Sequence, residues 1–331
     1  MKKEKTSAQG RPVRVFDGIP MLIVGILLVV LLVIVGFVGD NNIRRILFKI
    51  FIYCTLGSMW NLMSGYTGMT SLGQQAFIGV AGYSMAVMTA KFAMSFAVGI
   101  VVGGVVGTVL ALVLSLILFR MRGMYFAIAT WVIAEALMTF FTSWGFVNKG
   151  GGMSVAGRPG REVIYLLGLV LCVAAIVVIY LLLKSKIGLG LTAMRDDADA
   201  ASSVGVNIFK SKLLCFVICG LFSALAGALY YMNNVSIYPG AGFSISWTVA
   251  TVFIVIIGGI GTMSGPIVGT LVYVLLDEQL SKMPTGWPNI ILGAIAILVI
   301  LFLPDGIMGT LQKKLRFEIL SQKRFSRGYT S

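Results

Sequence analysis

The sequence contains no histidine, and its 331 residues carry only 12 acids against 26 bases. The missing imidazole removes the commonest metal ligand and the commonest proton shuttle near neutral pH. Only 11% of residues are charged, where a soluble domain carries roughly 25%. Cysteine is scarce as well. Cys54, Cys172, Cys215 and Cys219 all fall inside apolar runs, without the polar flanks of a disulfide or zinc site, so they read as small hydrophobes in packed helices. A phosphate-binding loop of the form G-x-x-x-x-G-K-[ST] is also lacking. The glycine-rich stretch Asn148–Arg161, "NKGGGMSVAGRPGR", does not supply that spacing. The chain is therefore not expected to hydrolyse ATP itself, and no metal, cofactor or catalytic residue is expected.

What is abundant is apolar surface, at 58% of residues. It comes in continuous blocks near the ~20 residues that cross a ~30 Å hydrocarbon core. A membrane barrel would instead show short alternating segments. Helices satisfy their own backbone in lipid, so the expected fold is an all-α polytopic membrane protein. Ten spans are expected: 19–38, 46–63, 75–90, 95–119, 124–143, 163–183, 213–232, 247–257, 266–280 and 288–303. The first is too long for a signal-peptide core and no small-residue cleavage site follows it, so it reads as a retained span.

Lysine and arginine set the expected orientation. With the N-terminus inside, one side collects eighteen of them and the other eight. That places a basic tail (1–18), the loop 184–212 and a second basic tail (304–331) in the cytoplasm, around a permease-like body at 19–303. A net charge of +14 then reflects span ends and contact with anionic lipid, not nucleic acid.

Two segments interrupt the apolar pattern with glycine: Gly65-Tyr-Thr-Gly68-Met-Thr-Ser71 and Gly258-Gly259-Ile-Gly261-Thr-Met-Ser264. Gly73 and Pro266 extend them, and all these positions are expected to break helices. Both segments read G-x-x-G-x-x-S, as an internal repeat in a transporter would. Asn61, Thr70, Ser71, Gln74 and Gln75 surround the first. Such polar groups beside broken backbone either line a transport path or make interhelical hydrogen bonds. Glu135 is the one acid expected deep in a span. Its cost in lipid, at least ~2.5–3.5 kcal/mol on insertion scales, demands that it face the bundle interior with a partner, as a substrate or gate contact or as a structural hydrogen bond.

The stretch Leu191–Lys212, "LTAMRDDADAASSVGVNIFKSK", has its own logic. Thr192 is expected to cap a helix over 193–204, with Asp196 and Asp197 in its first turn. Arg195 and Asp199 are spaced to pair. Gly205 suits a left-handed stop and Asn207 the cap of the next helix. The result is a small-faced, acidic knuckle, suited either to docking against a basic groove or to turning the chain around.

Asp199-Ala200-Ala201-x-x-x-Gly205 resembles the EAA-type loop of ABC importer permeases, with Asp in place of the usual Glu. Asn61–Tyr83, Arg122–Leu137 and Gly258–Glu278 resemble three further blocks of the second permease subunit of branched-chain amino-acid ABC importers, in that family's order. The resemblance implies a type II importer bundle in a bacterial or archaeal cytoplasmic membrane. It also implies two ATPase subunits docking on Asp196, Asp197, Asp199, Ala200, Ala201 and Gly205, a second homologous permease, and an extracytoplasmic substrate-binding protein. Gln74-Gln75 stands where the family commonly has His-Gly. Urea or another small amide therefore remains an alternative cargo, and an ion-gradient transporter using Glu135 an alternative class.

Overall fold

The structure is a computed structural model that describes residues 5–6, 12–16, 19–284, 287–315 and 317–319. Fourteen helices follow one another among the described residues: α1 Ile19–Val38, α2 Asn41–Asn61, α3 Gln74–Ala90, α4 Phe96–Leu118, α5 Met124–Ser143, α6 Arg161–Lys184, α7 Lys186–Asp196, α8 Ala198–Ser203, α9 Ile208–Asn234, α10 Pro239–Gly242, α11 Ser246–Gly258, α12 Gly265–Leu280, α13 Trp287–Phe302 and α14 Gly306–Leu315. Strands are confined to short pairings, such as Met153–Ser154 with Ser236–Ile237.

Among the described residues, seven helical stretches are long and apolar enough to cross a membrane: Asn41–Tyr66, Phe96–Leu118, Met124–Ser143, Arg161–Lys184, Ile208–Asn234, Pro239–Gly258 and Ile290–Gln312. The chain is a multi-pass, essentially all-helical membrane protein. The other three expected spans are helices as well: α1, with 20 residues, and the shorter α3 and α12, with 17 and 16. Both α3 and α12 start directly after a glycine break, at the buried residues Gln74 and Gly265. They begin inside the bundle, which is why they are short.

Of the expected tails, 1–18 and 304–331, the described residues are 5–6, 12–16, 304–315 and 317–319. Lys5–Thr6, Pro12–Phe16 and Phe317–Ile319 form one small sheet. Helix α14 packs on α11 and α12.

At the centre α3, α4 and α9 pack on one another. Helix α3 is buried along almost its whole length, so it reads as apolar all round and not as amphipathic. On α4, Gly99, Gly103, Gly107, Ala111 and Ser115 recur every four residues, and all are buried. They meet a matching row on α9, Gly220, Ala224 and Ala228. A Cβ added at Gly107 would lie 2.2 Å from the Ala224 Cβ, and one at Gly220 2.7 Å from the Ala111 Cβ. Membrane helices have no hydrophobic force between them, and small residues allow the close approach that dispersion requires. The opposite face of α4 exposes Val101, Val105, Val109, Leu112 and Leu116, a purely apolar surface suited to lipid. The four cysteines are free and buried.

At the far end from the knuckle, ion pairs tie α2 to its neighbours. Arg44 pairs with Glu162 at 2.9 Å, Arg45 with Glu278 at 2.5 Å, and Lys49 with Asp277.

Candidate functional site

The knuckle is built from two helices, not one. The expected helix 193–204 is broken at Asp197, which is extended (φ −154°, ψ 111°). Its Oδ1 accepts the N–H groups of Asp199 at 2.9 Å and Ala200 at 3.0 Å, so Asp197 caps α8. Thr192 is no cap. It lies inside α7 and donates its hydroxyl to the Leu189 carbonyl at 3.0 Å. Asp196 closes α7 instead of opening a helix. The reason is local: an aspartate carboxylate offers the backbone an alternative to the next helical turn. The expected stop and restart are present. Gly205 has φ +89°, and Asn207 Oδ1 accepts the Lys210 N–H at 3.0 Å to cap α9. Within α8 only Ala201 is buried. Asp196, Asp197, Asp199, Ala200 and Gly205 are exposed, as is Val204 at 79%.

Arg195 does not pair with Asp199. Its guanidinium binds Asp196, with Nε to Oδ1 at 3.0 Å, and Nη1 donates to the Gly65 carbonyl at 2.9 Å. Gly65 lies in a π turn, Leu62–Tyr66, that continues α2. Such turns shift the carbonyl register and recur at functional sites. The knuckle is thus fastened to the first glycine break.

That break touches the second one. Asn61 Nδ2 donates to the Thr262 carbonyl at 2.9 Å, and Asn61 Oδ1 accepts the Gly261 N–H at 2.8 Å. A Cβ on Gly65 would lie 2.6 Å from the Gly261 nitrogen, so the two backbones approach as only glycine permits. Gly68, Gly259 and Gly261 all have positive φ. Gly258 packs against Gly265, beside Pro266 at the start of α12. The first break also reaches α5. The Leu72 N–H donates to Thr130 Oγ1 at 3.0 Å, and a Cβ on Gly73 would meet the Thr130 carbonyl oxygen at 2.3 Å. The two G-x-x-G-x-x-S segments, far apart in sequence at Gly65–Ser71 and Gly258–Ser264, form one node.

Most of the polar residues around the node are engaged within the chain. Gln74 Nε2 donates to the Leu56 carbonyl at 3.0 Å and to Ser223 Oγ at 2.9 Å. Gln75 accepts from Thr248. The Ser71 carbonyl accepts the Trp60 indole N–H at 2.8 Å. Thr70 is exposed and opens on a cavity between the break and the knuckle. Spacing in the sequence carried no signal for Arg195 or Thr262 as members of the node. Thr130 and its partner Leu72 stood in two different quoted blocks, with nothing in the sequence to join them.

Glu135 departs from the expectation that it faces the bundle interior with a partner. It does not face the interior of this bundle. It is exposed, and its carboxylate has no partner among the described residues. Helix α5 buries Phe126, Ala127, Thr130, Ala134 and Phe141 against the bundle, and Glu135 lies on the other side. Thr139 and Ser143 extend this outward stripe at spacings of four. That polar row runs along an outer face that otherwise exposes Ile128, Trp131, Val132 and Phe140.

The comparisons with known proteins agree with this architecture. The family model described as branched-chain amino acid transport system / permease component matches residues 42–300. The high-affinity branched-chain amino acid transport system permease protein LivM of Escherichia coli is 23% identical over 299 residues, covering 81% of this chain and 70% of its own. Its LivH counterpart is 27% identical over 175 residues, 53% of this chain and 55% of its own. The xylose transport system permease protein XylH of Haemophilus influenzae is 30% identical over 138 residues, 40% and 37% of the two chains. No solved structure matches. With a family model matching residues 42–300 of its 331, this chain belongs to the branched-chain amino acid transport system permease family, as a permease subunit of an ABC importer.

Proposed function

We propose that the chain forms half of the translocation path of an ATP-driven importer for branched-chain or related amino acids. It is read as a type II bundle with ten spans in a bacterial or archaeal cytoplasmic membrane, both termini and the knuckle facing the cytoplasm. Two ATPase subunits hydrolyse ATP, a second homologous permease completes the path, and an extracytoplasmic binding protein delivers cargo. The names of the LivM and LivH relatives favour this cargo, and the xylose permease is a reminder that related chains serve others. Urea or another small amide stays the runner-up cargo.

The observation that carries the mechanism is the hydrogen bond from Arg195 to the Gly65 carbonyl. When the ATPases close they carry the exposed acidic face of α7–α8. Arg195 passes that displacement to the π turn of α2, and Asn61 passes it to the α11–α12 break. Glycines there tolerate the backbone change that side chains would resist. The polar outer stripe of α5 is read as path-lining: an acid at membrane depth is tolerable where water, cargo or a second subunit meets it. A gradient-driven transporter would leave the knuckle without a task.

The docking reading is tested by purifying a tagged chain from its own membranes in mild detergent. An ATPase should accompany the wild type and be depleted, by tenfold or more, from Asp199→Arg. A chain that comes down alone, or a variant that retains the ATPase in full, overturns it.

A further inference from the structure

A cavity of about 390 Å³ lies where the knuckle meets the bundle, within the ~300–1,000 Å³ range of small-molecule sites. Its walls come from four places: the first break (Met69, Thr70), the α4–α5 turn (Arg122), α8 (Asp199) and the start of α9 (Lys212), with Met194 and Phe126 in its lining. Arg122 and Lys212 put two like charges on this lining. Neither makes an ion pair or side-chain hydrogen bond among the described residues, and the Asp199 carboxylate makes none either. Two unpaired cations, one unpaired acid and an apolar wall therefore share one hollow, which Arg195 also lines with its guanidinium already engaged by Asp196 and the Gly65 carbonyl. That set is complementary to a carboxylate, an ammonium and an aliphatic side chain on one small molecule. A lipid phosphate would suit the cations but leave Asp199 opposed to its charge.

We propose that this cavity binds the imported apolar amino acid from the cytoplasmic side and, by bridging knuckle and bundle, slows the importer as product accumulates. The inference rests on the cargo and orientation proposed above. The ligand's carboxylate meets Arg122 and Lys212, its ammonium meets Asp199, and its side chain packs on Met69, Phe126 and Met194. In the coupling scheme the knuckle and the first break move together through Arg195, whereas the α4–α5 turn and the start of α9 adjoin the tightly packed centre. A ligand that touches all of them binds one arrangement better than the other, and differential affinity is what shifts a two-state equilibrium.

The test uses the complete importer reconstituted in vesicles with the ATPase side inside, loaded with ATP and graded L-leucine, with uptake of external labelled leucine as the readout. Uptake by the wild type should fall as internal leucine rises. Arg122→Gln and Lys212→Gln should each take up leucine normally at low internal concentration, and should raise the half-inhibitory concentration tenfold or more. 4-Methylpentanoate, which lacks the ammonium group, should inhibit more weakly. Uptake that is insensitive to internal leucine, or variants inhibited like the wild type, would overturn the feedback site and leave the transport reading intact. So would native mass spectrometry showing a phospholipid held by the wild type and lost from both variants. A wild type that takes up no leucine overturns both.

Discussion

Arg195 and Glu135 show how far single side chains can be read from a sequence. Arg195 lies four residues before Asp199, and helical spacing alone pairs them. The pairing fails because Asp197 breaks the helix, which leaves Arg195 free to reach Gly65, 130 residues away. Glu135 was legible as unusual, because an acid in an apolar run is costly whatever surrounds it. Its direction was not legible, because α5 is apolar on both its packed face (Phe126, Ala127, Ala134, Phe141) and its outer face (Ile128, Trp131, Val132, Phe140). Glu135→Gln should leave the melting temperature of the detergent-solubilised chain within about 2 °C, since exposed substitutions stay within roughly ±0.5 kcal/mol. Leucine uptake by the assembled importer should fall at least tenfold. Unchanged uptake would remove Glu135 from the path.

At the scale of elements, the apolar runs and stop signals were the dependable part. Each of the ten expected spans is a helix, and Gly205 and Asn207 end one element and begin the next as expected. The glycine breaks were legible as breaks. Their meeting was not, because only an amide side chain, Asn61, and close backbone approach join them. The α4–α9 seam is the element most exposed to overpacking. Gly107→Val puts a branched side chain where a single Cβ already lies 2.2 Å from Ala224. Overpacking commonly costs about 1–3 kcal/mol, so the variant should melt several degrees lower in detergent or fail to accumulate, while Val109→Leu on the lipid-facing side should not. Equal melting temperatures for the two would contradict the packing described for the seam.

On the scale of the whole molecule, the chain is a bundle whose moving parts are fastened at few points. A rigid centre of α3, α4 and α9 is held by small residues. The ion pairs at the far end tie α2 to α6 and α12, although exposed pairs of this kind contribute only about 0–1 kcal/mol each. The knuckle reaches the helix breaks through Arg195. The central claim is that this contact carries the stroke from ATP hydrolysis to the path. The direct measurement is ATP hydrolysed per leucine imported, in vesicles holding the complete importer with wild-type chain or Arg195→Met. Leucine import should fall at least tenfold in the variant while ATP hydrolysis stays within about twofold and the ATPase still co-purifies. Import and hydrolysis that remain in the wild-type ratio would show that Arg195 carries no coupling, and the account would fail.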